Sequence, residues 1–465
     1  MVAVREAAKL KIIVVGAGIG GLGAAISLLL AGHHVQVLEG AKELGEVGAG
    51  IQILPNGARV LRSWGMEDTL QMNAMEPRMS NMRNWKGDLL TSWDYLVAAK
   101  TYSAPFWDFH RADLHRALVD RALELGGDIV CNMTVADVLC DTPSGHATVV
   151  TRGGKTHTAD LVVGADGVHN TLRAVLSGRD EPPTPTGDLA YRLLLDASVM
   201  LSDPELAEFV DDPQVNSWIG PDAHIGENLI IQSQSKPSYV RTHPQRSQAN
   251  ITDSYRSLVN NILRQGSLFN MVLCMPDDVP DKVRVAHGNI EELKHFYKDW
   301  DPRIVKLINI SKAANKWKLC IREELDHWYH PSGTLVLLGD AVHATLPYLS
   351  SGAGMTLEDA GALGECLSRI KSKSGAEIQH ALAVFQECRK RRTERTVKRS
   401  SLQQHLPHLP DGPEQEQRDV LLRIPGPVRG EAFVWRDPDI GPWLLGNDHV
   451  KDVLDNWGSA SQARI

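Results

Sequence analysis

Three glycine-rich segments, each closing a short β-branched run, stand far apart in this chain. They are VVGAGIGGLGAA at 14–25, VVGADGVHNTLR at 162–173 and LLGDAVHATLPYLSSGAG at 337–354. Each alone is a weak signal. In this order and at these separations they point to one site built from distant parts of one chain. Lys11 to Val15 reads as a buried parallel strand. Gly16, Gly18 and Gly21 follow in GxGxxG spacing. The first permits a tight turn, the second lets backbone approach a pyrophosphate, and the third lets the helix pack on the strand. The helix expected over 20–31 aims its free N–H groups and positive dipole end at the phosphates. Gly32 closes it. Residues 33–38 return as a strand with Glu39 at its tip, where a carboxylate accepts hydrogen bonds from an adenosine ribose. By itself this segment suits FAD and NAD equally. A glycine cluster that only packs a helix is the bland alternative.

The later segments narrow the choice. Gly48, Ala49 and Gly50, in GEVGAGIQILPN, leave no bulky side chain, so a flat ring or phosphate chain can approach the backbone. Leu161 to Val163 reads as a buried strand ending in Gly164-Ala165-Asp166-Gly167, and Asp166 either faces a ligand or caps the helix that follows. Thr334 to Leu338 is a further strand, ending in Gly339-Asp340. A carboxylate at that end lies where open α/β sheets bind ligands, so Asp340 suits ribityl hydroxyls. After Pro347, the small residues 350–354 open a helix expected to start near Met355, its positive end able to stabilise charge on a reduced flavin ring.

The combination of GAGIGG, Glu39, GEVGAGI, Arg111 in HRADLHRAL, GADG and GDAVHATLP resembles class A flavoprotein monooxygenases of the para-hydroxybenzoate hydroxylase family. Spacing, with the tail segments at 411–419 and 443–457, is most similar to the salicylate hydroxylase-like branch. The resemblance implies an α/β, Rossmann-type FAD domain with an inserted, mostly β substrate domain and a helical C-terminal tail. The FAD domain would be discontinuous, from 1–75, 110–180 and 330–400. The substrate domain would come from 76–109 and 181–329, and the tail from 401–465. By the same resemblance Gly16, Gly18, Gly21, Glu39, Ala49, Gly50, Arg111, Asp340, Ala353 and Gly354 line a non-covalent FAD, and Asp166 and Gly167 lie in a segment linked to both FAD and NAD(P)H. The implied reaction uses NADH or NADPH and molecular oxygen to hydroxylate a small phenolic or salicylate-like ring. A polyketide-derived or non-aromatic substrate, or a flavin-binding protein without turnover, are the alternatives.

On the substrate side, Arg192 is the leading catalytic candidate. It sits on an apolar strand, where an unpaired charge is costly, and either meets an anionic substrate or forms a structural salt bridge. His224 begins a second candidate strand, where a lone histidine is more often structural. His343 follows Asp340 and shapes the cofactor loop without acting as the base. Some relatives carry a pocket tyrosine five strand positions in from the histidine matched to His224. The segment 226–258 is polar and weakly periodic, and reads as an anomalous insertion, since long structureless loops are unusual inside compact domains. It is either a retained intron translated in frame or a lid loop. Rejoining Ile225 to Val259 would put Asn261 at the tyrosine position and turn Arg264 away from the pocket.

Composition sets outer limits. A chain of 465 residues with 43% hydrophobic content can bury more than one core. The net charge of −8 argues against nucleic acid as a partner. The basic run Arg389, Lys390, Arg391, Arg392, Arg395 is expected to be one solvated helix face. Six cysteines without CxxC or zinc spacing suit a reducing compartment and no metal. The N-terminus shows no signal peptide, and the apolar run from Ile12 is broken too early to span a membrane. A cytoplasmic, homodimeric protein is the expectation.

Overall fold

The computed structural model describes residues 8–45, 50–140, 145–179, 181–231, 267–280 and 283–458. Strands Leu335–Leu337, Leu161–Gly164, Lys11–Val15, His34–Leu38 and Asp128–Val130 lie in that order in one parallel sheet. Ile12, Ile13 and Val14 are fully buried, and so are Val162 and Val163. Helices cover both faces of such a sheet, so its strands read as unbroken apolar runs. Parallel pairing brings the three strand ends together: Ala165 N donates to Val15 O at 2.9 Å, and Leu338 N to Gly164 O at 3.1 Å. Gly16 turns out of the first strand with φ +99°, and a Cβ there would fall 2.6 Å from Ala165 O.

Helix Ile19–Leu30 crosses helix Gly352–Leu367 through small residues. A Cβ on Gly364 would lie 2.0 Å from Ser27 Oγ, and one on Gly23 would lie 3.2 Å from Ala360 Cβ. The second helix starts at Gly352, ahead of the expected Met355, because Ser350, at φ 49°, turns the chain directly into it.

The second sheet has eight strands, in the order Val285–His287, Asn315–Ile321, Thr184–Asp196, Ser267–Pro276, Ala223–Ile231, Val215–Gly220, Met79–Asn84 and Leu89–Asp94. It is antiparallel except where Val215–Gly220 meets Met79–Asn84. Alternation decides its two faces. Leu189, Tyr191, Leu193 and Leu195 pack with Phe209, Leu293, Ile304 and Leu307 in one core, each such side chain contributing about 1.5–3 kcal/mol. Ala190 and Arg192 point the other way.

Two expectations are corrected here. The strand Ala223–Ile231 runs without a break through Gly226, where the insertion was expected to begin. Gly226 pairs with Val272, Glu227 with Met271 and Asn228 with Asn270, while Val215–Gly220 pairs on its other edge. The physical reason is that alternation persists: Ile225 and Leu229 are buried in the core. Residues 226–231 are therefore sheet. The remainder of the expected insertion, with Asn261 and Arg264, lies outside the described residues. The fifth strand position from His224 is Asn228. The second correction concerns the basic run. In helix Gly375–Leu402, Arg391 and Arg395 are exposed, but Arg389 and Arg392 are buried. They lie against Glu358 and Asp359, two fully buried carboxylates that need cationic partners.

The tail is helical, with Pro413–Arg423, Ile440–Leu445 and His449–Trp457. Leu444 and Leu445 are buried against Leu54, Tyr95 and Phe106. Among the described residues no helix is long and apolar enough to cross a membrane, and no cluster has the makings of a metal site.

Candidate cofactor and substrate site

A cavity of about 700 Å³ opens at the ends of strands Lys11–Val15, His34–Leu38 and Leu161–Gly164, with Gly16, Gly18, Glu39, Arg111, Asp166 and Arg192 among its walls. The three motif glycines play different parts. A Cβ on Gly21 would stand 1.8 Å from Gly16 O, so Gly16 and Gly21 are demanded by the protein's own backbone. Gly18 is not. Its φ of −73° is ordinary, and a Cβ there would meet nothing within 4 Å. The vacant space faces the cavity at the N-terminus of helix Ile19–Leu30, whose first turn has no side-chain cap and no acidic residue. Its N–H groups are left for an anion, and a pyrophosphate fits where the Cβ would intrude. Glu39 braces this loop: Oε2 accepts from Ala17 N at 2.7 Å and Oε1 from Ala41 N at 2.8 Å.

Arg111 opens helix Arg111–Glu124 on the cavity wall. One turn on, His115 Nε2 lies 2.7 Å from Ala17 O, clamping the glycine loop from below. Sequence reasoning missed His115, although its four-residue spacing from Arg111 puts both on one helix face. Asp166 does cap a helix: Oδ2 accepts from Thr171 N at 2.9 Å and Leu172 N at 3.4 Å, while the residue also lines the cavity. Burial pushes its carboxyl up, opposed by these bonds. Arg173 is buried and donates to Val342 O and Glu323 O, fastening the second motif to the third.

Gly339, at φ 62°, turns the chain into the short helix Asp340–His343. Asp340 keeps accessible surface, yet protein surrounds it closely enough that desolvation raises its carboxyl against the pull of His343 and Arg111. Asp340 is not among the residues that line the 700 Å³ cavity. Beneath it lies a buried network that the sequence did not reveal. Asp359 Oδ2 accepts from Gly339 N at 3.0 Å and contacts His343 Nε2 at 2.5 Å. Arg389 bridges Asp359 Oδ1 at 2.8 Å and Glu358 Oε2 at 2.7 Å. Arg392 adds bonds of 2.8 and 2.9 Å to Glu358, which also takes Asn56 Nδ2 at 2.9 Å. His343 is thus committed to structure.

Two small residues serve packing directly. A Cβ on Gly50 would fall 2.5 Å from the Asn270 amide, and Gly50 N donates to Asn270 Oδ1 at 2.9 Å. A Cβ on Gly354, beside Ala353 in the first turn of its helix, would lie 3.0 Å from Asn56 Nδ2. Ala49 lies outside the described residues.

The face of the eight-stranded sheet opposite its core carries three cross-strand rows: Ala190–Cys274–His224, Arg192–Val272–Gly226 and Leu194–Asn270–Asn228. Arg192 lies 5.6 Å from the centroid of the Trp317 ring, and both reach the cavity. A Cβ on Gly226 would meet nothing within 4 Å, so open space stands over the middle row. Asn228 borders it on one side, accepting from Asn270 Nδ2 at 2.9 Å. Nearby Asp108 is fully buried and takes Gln52 Nε2 at 3.0 Å. Burial pushes its carboxyl up to about 7, against donation from Asn228 and Gln52. His224 borders the other side, with Tyr348 and His408 packed on its ring.

Comparison with known proteins agrees with this geometry. Residues 9–265 match the FAD binding domain family. The chain is 37% identical to the FAD-dependent monooxygenase OpS4 of Beauveria bassiana over 97% of each chain. It is 31% identical to the 3-amino-4-hydroxybenzoate 2-monooxygenase PtnB3 of Streptomyces platensis, covering 91% of this chain and 95% of that one. A salicylate hydroxylase substrate complex superposes with a TM-score of 0.71 at 20% identity, over 96% of this chain and 97% of that one. The chain belongs to the FAD-binding-domain family. Within it, the protein is an FAD-dependent monooxygenase of the aromatic-hydroxylase class, with NAD(P)H as the family's reductant.

Proposed function

We propose that the protein hydroxylates a small phenolic ring seated over Gly226, between His224 and Asn228. The observation that carries this reading is the open space above Gly226 on the sheet face that also bears Arg192. A strand glycine with room for a side chain, flanked by polar residues, suits a flat ring with hydroxyl or carboxylate substituents. Arg192 is the cation that meets the anionic form of the substrate. Bound FAD, reduced by NAD(P)H, supplies the activated oxygen. The chain's own residues hold the cofactor and exclude water. Gly16, Gly18 and Gly21 shape the pyrophosphate turn, and Glu39 faces the adenosine ribose. Arg111, Asp166, Asp340, Ala353 and Gly354 surround the remainder, and Ala49 and Gly50 belong to the same set.

The division into a cofactor domain (1–75, 110–180, 330–400), a substrate domain (76–109, 181–329) and a tail belongs to the same proposal, as do a cytoplasmic setting and a homodimer. The two sheets, one parallel and one largely antiparallel, support the division. Six unpaired cysteines support the setting.

The test is a panel of phenolic acids, including 3-amino-4-hydroxybenzoate, read as stimulated NAD(P)H oxidation and as a product one oxygen heavier. Gly226→Leu should retain FAD and lose the stimulation, and Arg192→Ala should reduce it sharply. Unchanged stimulation in Gly226→Leu, or no response to any phenol, would remove the ring from this position.

A further inference from the structure

The turn between the first strand and its helix is held by two side chains from elsewhere, one for each of two successive peptides. Glu39 Oε2 accepts from Ala17 N at 2.7 Å and so holds the Gly16–Ala17 peptide. His115 Nε2 lies 2.7 Å from Ala17 O and holds the next peptide, Ala17–Gly18. A carbonyl only accepts, so this nitrogen carries the hydrogen and donates. Among the described residues no backbone N–H shares Ala17 O with it. Ala17 and His115 are both buried, and both line the cavity. His115 stands one turn along helix Arg111–Glu124 from Arg111, on the same face. The contact joins residues 98 apart in the chain, so nothing local to the loop supplies it.

The Ala17–Gly18 peptide needs such a hold. A trans peptide is planar, and its C=O and N–H point to opposite sides. Rotating that plane by half a turn exchanges the two while the rest of the chain keeps its path. The exchange carries Gly18 from its φ of −73° into the positive half of its range, which glycine enters freely. Local sterics therefore do not forbid the flip. What it decides is charge. With Ala17 O turned to His115, the Gly18 N–H lies on the opposite side of the peptide. The first turn of helix Ile19–Leu30 follows it with no side-chain cap. With the peptide reversed, a carbonyl oxygen would take the place of that N–H and meet an anion with the wrong sign.

We propose that His115 is a positioning residue for the cofactor. It keeps the Ala17–Gly18 peptide in the orientation that presents N–H, not C=O, to the pyrophosphate. It acts through the loop, and its contribution is made before the cofactor arrives. A loop free to flip is competent for only a fraction of the time, and the apparent affinity falls by that fraction. Association slows in the same proportion, whereas release from the competent state does not change. The inference rests on the reading above that places the pyrophosphate at Gly18. It does not depend on which ring is hydroxylated.

The experiment follows FAD binding to the full-chain apoprotein by stopped-flow flavin fluorescence, in His115→Leu, His115→Asn and His115→Gln. Leucine cannot donate and asparagine is too short to reach Ala17 O, whereas the glutamine amide can stand in for Nε2–H. His115→Leu and His115→Asn should associate with FAD about tenfold more slowly than the parent, the bias of one hydrogen bond, and dissociate at the parent rate. His115→Gln should recover most of the association rate. Substitutions that merely remove a contact act mainly on dissociation, so the rate that changes separates positioning from contact. The thermal melt of each apoprotein reports folding, and asparagine against glutamine decides the matter if leucine prevents it. Parent-like association in folded His115→Leu or His115→Asn, or a loss confined to dissociation, overturns the proposal. So does a His115→Gln variant no faster than His115→Asn. Stoichiometric flavin in Gly18→Val would instead remove the pyrophosphate from this loop, and the role of His115 with it. Flavin-free Gly18→Val beside unaltered association in the His115 variants would leave the pyrophosphate in place and remove His115 alone.

Discussion

At the residue scale, a glycine can be required by the fold or by a ligand, and the two motif positions Gly21 and Gly18 separate these cases. Gly21→Ala forces a Cβ to within 1.8 Å of Gly16 O, a clash that the turn cannot absorb while the strand and helix keep their places. Gly18→Val meets no protein atom within 4 Å of its Cβ and keeps an ordinary φ. The expected outcome is that Gly18→Val melts close to the parent apoprotein but no longer retains FAD, while Gly21→Ala lowers the melting temperature of the apoprotein itself. Stoichiometric flavin in purified Gly18→Val would deny the loop its role at the pyrophosphate. Gly50 and Gly354 belong with Gly21 in this sense, since each makes room for an asparagine.

At the element scale, helices Gly352–Leu367 and Gly375–Leu402 are joined by ions rather than by grease alone. Burial by itself would raise the Glu358 carboxyl, but Arg392 and Arg389 outweigh it and hold it down to about 2. A carboxyl depressed in the folded state stabilises the fold fully above its ordinary value of 4.5 and loses that contribution as pH falls toward 2. Arg389→Leu strands Glu358 and Asp359 with fewer cations, and breaking a buried pair costs about 3–5 kcal/mol. The variant should therefore melt well below the parent at neutral pH. It should also begin acid unfolding at a higher pH, measured by circular dichroism across a pH series. An acid limb unmoved by the substitution would show that the network contributes nothing net.

At the scale of the whole molecule, the tail is part of the enzyme's interior. Trp443 O and Leu444 O accept from Arg392 at 2.7 and 2.8 Å. Leu444 and Leu445 complete a core with Leu54, Tyr95 and Phe106, Val453 joins the main core, and His408 packs against His224 on the eight-stranded sheet. Removal of residues 403–465 should expose these side chains and leave two arginine bonds without acceptors. The truncated chain is expected to accumulate mainly in the insoluble fraction, and any soluble portion to melt far below the full chain. A truncated protein with the parent melting curve would make the tail a mere appendage.

The sequence by itself determined the elements and their company. Unbroken apolar runs followed by GxGxxG, GADG and GDAVH specify parallel strands that lie side by side in one sheet, because buried strands and tight turns restrict residue type locally. The apolar run around Arg192 likewise marked it as a charge in need of a partner. What only the tertiary structure decided depends on distant partners. The two arginines of the basic run at 389–395 are interior because Glu358 and Asp359, on another helix, lie within bonding reach. Glu39 spends both oxygens on backbone N–H groups that no spacing rule reveals, and Asp166, readable as cap or ligand residue, both caps Thr171 and lines the cavity. The segment from Gly226 to Ile231 reads as foreign in a linear scan, yet each residue pairs with Ser267–Pro276. Strand pairing is a property of two strands at once, and the second lies beyond the reach of any local pattern.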